Sequence, residues 1–476
     1  MRRPPPANQK DRHMPPRTVA VILAGGIGSR VGLGIPKQLI KIAGKAIVEH
    51  TLEVLDANPL IDDIVIVMNA ASIGELDGLK DPLRFPKLSR IIAGGATRND
   101  STRAALAVLG DDPDTKVLFH DAVRPFIDDR IIADCIVALD TYDAVDTAIP
   151  SADTIVEVDS ASLITDIPDR SRLRRGQTPQ AFRLGTIRRA YRLAEDDESF
   201  QATDDCGVVF HYLPDVPIHV VEGTPENMKV TEPIDVHIAD KLFQLQSESL
   251  SADDGDLPDL SGRTVVVFGG SYGIGRSIVD LALRAGADVH QFSRSTTGTD
   301  VRSRVLVKRA LSAVYEQTGR IDAVVLTAGV LQVGPLSETK VRRLEAVIET
   351  NFVAPVIVSR AAFKYLRESR GQLLLFTSSS YTRGRANYGV YSASKAAVVN
   401  LTQALAEEWA PDAVAVNCIN PQRTRTPMRT AAFGEEPPTT LLEPEHVAQV
   451  SLRVLASDLT GQVVTVRVEQ PGAPRA

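Results

Sequence analysis

Cysteine is scarce in this chain: Cys135, Cys206 and Cys418 are three residues in 476, far apart and without zinc-ligand spacing. That excludes a disulfide framework and a cysteine-built metal site, and it fits a reducing, cytoplasmic setting. An excess of positive charge is also missing. Lysine and arginine number 53 against 60 aspartates and glutamates, a formal net charge of -7. A general nucleic-acid surface needs clustered cations without offsetting acids, so none is expected, although local basic clusters remain free to bind small phosphates. Residues 1–17 are polar and proline-rich and lack the apolar centre of a secretory signal or a membrane span; they read as a flexible tail. No internal repeat links the two halves.

A 43% hydrophobic content over this length suits two domains of roughly 200 residues each. From 18 to 244, short apolar runs such as Val19–Leu23, Ile64–Met68, Ser89–Ala93 and Lys116–His120 alternate with amphipathic stretches, an α/β layout. Residues 245–259 are acidic, small and poor in aromatics, and are expected to be a linker. A second α/β domain, 260–476, begins with the apolar strand Thr264–Phe268. Each domain opens with strand, glycine turn and helix, which predicts two nucleotide sites.

The first glycine turn, Leu23-Ala-Gly-Gly-Ile-Gly-Ser-Arg30, is followed by Pro36-Lys37-Gln38. Gly25, Gly26 and Gly28 remove the Cβ atoms that would keep a polyanion from the backbone, whose N–H groups can then converge on phosphate oxygens. Arg30 and Lys37 add fixed positive charge, and transfer at phosphorus asks mainly for positioning and for such charge. It is not a Walker loop, since no Gly-Lys-Ser/Thr closes it.

Four later segments follow: Gly94-Gly-Ala-Thr-Arg98-Asn-Asp-Ser101, His120-Asp121-Ala-Val-Arg124-Pro125, Asp169-Arg170 before Gln177-Thr-Pro-Gln180, and Thr224-Pro-Glu-Asn-Met-Lys229. In this order and at these intervals, they make residues 18–240 resemble the cytidylyltransferases of the methylerythritol-phosphate and ribitol-phosphate type. The resemblance implies attack of an alditol phosphate on the α-phosphorus of CTP. It gives Arg30, Lys37 and Lys229 the charge-stabilising role. CTP would be held by Ala24, Gly25, Gly26, Gly28, Gly95, Ser101, Asp121 and Ala122, with Arg98 supporting the base loop. Asp121 would also meet Mg²⁺, or another divalent cation. Thr154 and Arg170 match positions that bind the alditol phosphate, often from the partner subunit's arm, so a homodimer is expected.

In the second half, Gly269-Gly-Ser-Tyr-Gly-Ile-Gly275 follows a strand and opens a helix, as dinucleotide binding requires. Tyr391-Ser-Ala-Ser-Lys395 puts a phenol and an ammonium four residues apart on one helix face. The ammonium is expected to lower the phenol's pKa toward neutrality and fit it for proton exchange with a carbonyl. Ser378, 13 residues upstream at a strand end, is the expected serine partner, with Ser379 as the fallback. Ser293-Arg294 offers no carboxylate for a ribose 2′-hydroxyl but does offer a cation for a 2′-phosphate, which favours NADPH. Arg383 and Arg385, in the entry loop, are expected to meet a substrate phosphate.

These motifs resemble the short-chain dehydrogenase/reductases, with their doubly wound parallel sheet. The resemblance gives cofactor contacts to Gly269, Ser271, Gly273, Ile274, Gly275, Ala328, Gly329, Pro421 and Thr426, and a relay-water role to Asn351. Thr327 and Gln422 stand where the family more often has Asn and Gly. The pairing of the halves resembles the bifunctional ribulose-5-phosphate reductase/CDP-ribitol pyrophosphorylases. It implies phosphorylated pentose and pentitol substrates, without nucleic acid or membrane. Two alternatives stay open: methylerythritol 4-phosphate cytidylylation with an unrelated reductase attached, and a second domain that only dimerises.

Overall fold

The computed structural model describes residues 16–26, 35–195, 197, 203–246 and 256–467. Gly28 and Arg30 lie outside them, as do the tail up to residue 15 and the linker residues 247–255. The chain divides into two units, one ending at His237 and the other continuing from Ile238. The expected boundary at 244 falls instead inside a helix, Pro233–Gln246, because the acidic run starts only after its last apolar turn.

The described residues of the first unit build an eight-stranded sheet. Its centre is Thr18–Ala24, parallel to Lys116–Asp121 on one side and Asp63–Met68 on the other, with Leu88–Ala93 beyond. Thr18–Ala24 is buried along its whole length, as an apolar run covered on both faces should be. Past Lys116–Asp121 the sheet is mixed: Gln180–Arg183 runs antiparallel to it and to Ala144–Pro150. Register places Leu23 beside Asp121, so the glycine turn and the carboxylate leave the same carboxyl edge. Ligands collect at that edge in open α/β sheets.

The second unit holds a six-stranded, all-parallel sheet, Asp288–Phe292, Thr264–Phe268, Ala323–Leu326, Gln372–Phe376, Ala415–Pro421 and Val463–Val466 in spatial order. Alternation along Thr264–Phe268 feeds two cores. Val266 and Phe268 pack under helices Arg304–Thr318 and Ala354–Ser369. Val265 and Val267 pack under Gly273–Arg284 and Pro444–Ala456. Between Phe292 and Ala323 there is a helix but no strand, so Asp288–Phe292 forms the sheet edge among the described residues. The helical stretch 341–369 is long and apolar enough to cross a membrane, but half of its most apolar 18-residue window is buried within the fold.

Candidate active sites

In the first unit, a cavity of about 190 Å³ opens over the carboxyl edge. Ala24, Gly25 and Gly26 give one wall and Gly95, Arg98 and Ser101 another. Asp121 and Ala122 form the floor, with Lys37 and Lys229 at the side. Thus every expected nucleotide residue inside the described range meets at one place. Gly94 must stay small: a Cβ there would sit 2.7 Å from the Ser101 hydroxyl. Thr97 and Asp100 cap the helix Arg98–Val108 reciprocally, which fixes where Arg98 and Ser101 leave the turn.

Asp121 is the electrostatic centre. Arg98 donates to its Oδ1 at 2.8 Å, while Arg124 Nε and Lys229 Nζ approach Oδ2 at 3.2 and 3.0 Å. Burial alone would raise the Asp121 pKa, but Arg98, Lys229 and Arg124 hold the carboxyl far below the usual range. The other arm of Arg98 donates to buried Asp205 at 2.9 Å, which also accepts from Thr102 and Tyr191 at 2.8 and 2.7 Å. Arg98 is therefore a brace between two carboxylates rather than a free ligand-reading cation. Behind it, the Asp121 backbone N–H donates to Thr178 Oγ1 at 3.0 Å, and Thr178 meets His120 Nδ1 at 2.9 Å. Burial lowers the His120 pKa to about 4, so the ring is neutral.

Lys229 is carried by a loop pinned from inside. Asn227 is fully buried, donates to the Thr178 carbonyl at 2.8 Å and, through its own carbonyl, accepts from Arg124 at 2.8 Å. Gln38, also buried, donates to the Ala24 carbonyl at 2.5 Å and ties the Lys37 turn to the glycine loop. Thr154 and Arg170 do not line this cavity. They lie on an exposed segment that includes the small hairpin Glu157–Val158 and Ile164–Asp166.

In the second unit, a cavity of about 510 Å³ runs along the carboxyl edge of the parallel sheet. Gly269, Ser271, Gly273, Ile274 and Gly275 form its phosphate-side wall at the start of helix Gly273–Arg284. Arg294, Ala328, Gly329 and Pro421 also line it, as does Thr426, which packs beside Gly273. Gly269 has φ +95°, and a Cβ there would sit 2.6 Å from the Ala328 nitrogen, so only glycine lets the turn pack against the Ala328 backbone. Thr327 replaces the family's asparagine without loss of anchoring, since its hydroxyl lies 3.2 and 3.1 Å from the carbonyl oxygens of Phe268 and Gly269. The cradle fits a dinucleotide.

Ser378, Tyr391 and Lys395 all face this cavity, and Ser378 is near enough to the Tyr391 phenol to act on its pKa. The expectation for the phenol is corrected: burial raises the Tyr391 pKa, with Ser378 and Arg429 opposing. The physical reason is that Lys395 is turned inward, donating to the Phe376 carbonyl at 2.9 Å, while burial lowers its own pKa to about 8. Asn351 sits on a single π-helical turn, Glu349–Val353. Its amide accepts from the Val330 N–H and donates to the Val330 carbonyl, both at 2.9 Å, and also lies 3.3 Å from Ser394 Oγ. It fixes the cavity wall beside Gly329. Arg385 lines the cavity, whereas Arg383 does not.

Comparisons with known proteins find relatives of both units. A family model described as 2-C-methyl-D-erythritol 4-phosphate cytidylyltransferase matches residues 18–245, and a short chain dehydrogenase model matches residues 290–437. Over 456 residues the chain is 45% identical to the bifunctional ribulose 5-phosphate reductase/CDP-ribitol pyrophosphorylase of Haemophilus influenzae, covering 94% of this chain and 96% of that protein. Over 237 residues it is 46% identical to the 2-C-methyl-D-erythritol 4-phosphate cytidylyltransferase of Thermobifida fusca, covering 49% of this chain and 95% of that protein. Over 233 residues it is 34% identical to the ribitol-5-phosphate cytidylyltransferase of Lactiplantibacillus plantarum, covering 48% of this chain and 99% of that protein.

Proposed function

The chain belongs to the family of bifunctional ribulose 5-phosphate reductase/CDP-ribitol pyrophosphorylases, and we infer from that membership and its two cavities that it makes CDP-ribitol in two consecutive steps. The second domain reduces D-ribulose 5-phosphate to D-ribitol 5-phosphate with a nicotinamide cofactor. The first transfers a cytidylyl group from CTP to that product and releases pyrophosphate. The observation that carries this is the presence, on one chain, of a Ser378–Tyr391 pair facing a dinucleotide cradle and a Lys37–Lys229 pair facing a glycine turn.

When bound, the nicotinamide supplies the hydride. Tyr391 Oη then gives its proton to the carbonyl oxygen, and Ser378 holds both oxygens in line. In the structure the raised pKa keeps the phenol protonated, the form an acid must have. Lys395 holds its buried amine on the Phe376 carbonyl, and Asn351 keeps the Val330 backbone in place in the cavity wall. In the other cavity, an oxygen of the alditol phosphate attacks the α-phosphorus as the bond to pyrophosphate breaks. Lys37 and Lys229, with Arg30 from outside the described residues, stabilise the charge that builds on the α-phosphate.

Four finer assignments complete the proposal. NADPH is the preferred cofactor, supported by Arg294 on the cavity wall at the ribose end. Mg²⁺ accompanies the triphosphate. Asp121 is the carboxylate in the cavity, and no group of three potential ligands occurs among the described residues, which suits an ion held mainly by phosphate oxygens and water. A homodimer is supported by the exposed apolar side chains of Val158, Leu163, Ile164 and Ile167 beside Thr154 and Arg170. The cytoplasm is supported by three free, buried cysteines, and the product would feed ribitol-phosphate polymers of the cell surface.

The first domain is as similar to a methylerythritol 4-phosphate enzyme as the whole chain is to the bifunctional one, so the alditol must be tested directly. Pyrophosphate release is measured with each alditol phosphate in turn. A kcat/KM for ribitol 5-phosphate well above that for methylerythritol 4-phosphate is expected; the reverse order overturns the assignment.

A further inference from the structure

The reductase cavity has an ion pair in its wall that the chemistry described so far leaves unused. Arg429 donates from Nε and from Nη2 to the two oxygens of Glu436, at 2.6 and 2.9 Å. Both residues line the cavity that contains Tyr391. Arg429 stands on the short helix Pro427–Phe433 that follows the cofactor-facing Thr426, whose hydroxyl accepts from the Arg429 backbone N–H. Its guanidinium lies over the Phe433 ring, 4.6 Å from the centroid. Phe433 stacks on Tyr388, whose ring is 6.3 Å from that of Tyr391. The guanidinium is thus held between Glu436 and the Phe433 ring, on the side of the cavity where Tyr388 and Tyr391 lie.

A planar guanidinium presenting two parallel N–H groups matches a phosphate as well as it matches a carboxylate. Here the partner is a side chain seven residues away, beyond Gly434 (φ +74°), on a segment without helix or strand. Two more cations, Arg385 and Arg423, line the same cavity, and Arg423 is close enough for its charge to bear on Glu436. One carboxylate therefore occupies a position on which two arginines bear, Arg429 and Arg423, with Arg385 elsewhere in the lining of the same cavity. A dianionic phosphate suits that set better than a single carboxylate does.

We propose that Arg429 is the receptor for the substrate's phosphate group in the reductase cavity, and that Glu436 is an internal stand-in which the phosphate displaces. Arg423 adds charge at the same subsite. This rests on the reading of the second domain as a sugar-phosphate reductase and names the group by which it selects phosphorylated ketoses. An unphosphorylated ketose has nothing to exchange for Glu436 and leaves the clasp shut.

The test compares NADPH oxidation with ribulose 5-phosphate and with ribulose, in the full-length wild type, Arg429→Ala, Arg429→Lys and Glu436→Gln. Arg429→Ala is expected to raise KM for the phosphorylated ketose by about tenfold or more, so that its kcat/KM falls much further than that for ribulose, since a charge-assisted bidentate contact is lost. Arg429→Lys should fall between, keeping charge without the fork. Glu436→Gln should lower KM for the phosphorylated ketose and make inorganic phosphate a stronger inhibitor. The proposal is overturned if Arg429→Ala leaves the preference for the phosphorylated ketose intact. It is also overturned if Glu436→Gln raises KM as Arg429→Ala does, which would make the pair a structural clasp. If the wild type reduces neither sugar, the reading of the domain fails instead. Calorimetric titration of inorganic phosphate into NADPH-loaded wild type and Arg429→Ala then decides the subsite by itself, equal binding overturning it.

Discussion

Lys229 stands 3.0 Å from the Asp121 carboxylate, so a cation expected at the α-phosphate of CTP is stored on a buried acid. The same acid is held by Arg98 at 2.8 Å and by Arg124 at 3.2 Å. Asp121 thereby gathers three positive charges at the cavity proposed to take the triphosphate.

Removing that acid leaves the cations facing one another. Asp121→Asn is expected to destabilise the first unit by about 3–5 kcal/mol, the usual cost of breaking a buried ion pair. Urea unfolding measures it, and cytidylyl transfer should fall while NADPH oxidation with ribulose 5-phosphate is retained.

Ser378 and Ser379 both line the cavity, and Ser378, which acts on the Tyr391 phenol, is the expected catalytic partner. Ser378→Ala is expected to lower kcat for NADPH oxidation by about 10²-fold or more, and Ser379→Ala by less than about tenfold. Steady-state kinetics on the two variants decides between them.

Lys395 gives a pH signature. Its pKa in the folded protein is about 8 against 10.5 for the free side chain, because burial penalises the charge. The stability linked to this group is complete above the unfolded value and is lost as pH falls through about 8. At pH 7 the buried charge costs about 3 kcal/mol. Lys395→Met should therefore stabilise the second unit at pH 7 and abolish reduction, and its advantage in thermal unfolding should shrink between pH 8 and pH 10.

Arg294 tests cofactor choice. Arg294→Ala is expected to raise KM for NADPH by about tenfold or more and to leave KM for NADH nearly unchanged, as a contact to a 2′-phosphate would require. Equal effects on both cofactors would remove the 2′-phosphate from its role.

What could be read from the sequence was local. Gly25 and Gly26 next to an apolar strand, and Tyr391 four residues before Lys395, announce their geometry through spacing alone, and the structure brings each set into one cavity. The partners that give these residues their properties were not legible. Asp205 meets Arg98 across 107 residues and Asn227 meets Thr178 across 49, with no periodicity to relate them. The π turn under Asn351 is hidden in an ordinary helical pattern, and Arg429 and Glu436 read as two more surface charges. The phenol's acidity was misjudged for a similar reason: four-residue spacing puts Lys395 on the right face but says nothing of the Phe376 carbonyl that its amine prefers.

The central claim is that one chain performs both steps in sequence, and a linked assay tests it most directly. Wild-type protein and Tyr391→Phe are given ribulose 5-phosphate, NADPH, CTP and Mg²⁺, and pyrophosphate release is followed. The wild type should release pyrophosphate only when NADPH is present. Tyr391→Phe should release almost none until preformed ribitol 5-phosphate is added, and then match the wild type. Release from the wild type without NADPH, or none from either protein with ribitol 5-phosphate, would contradict the account.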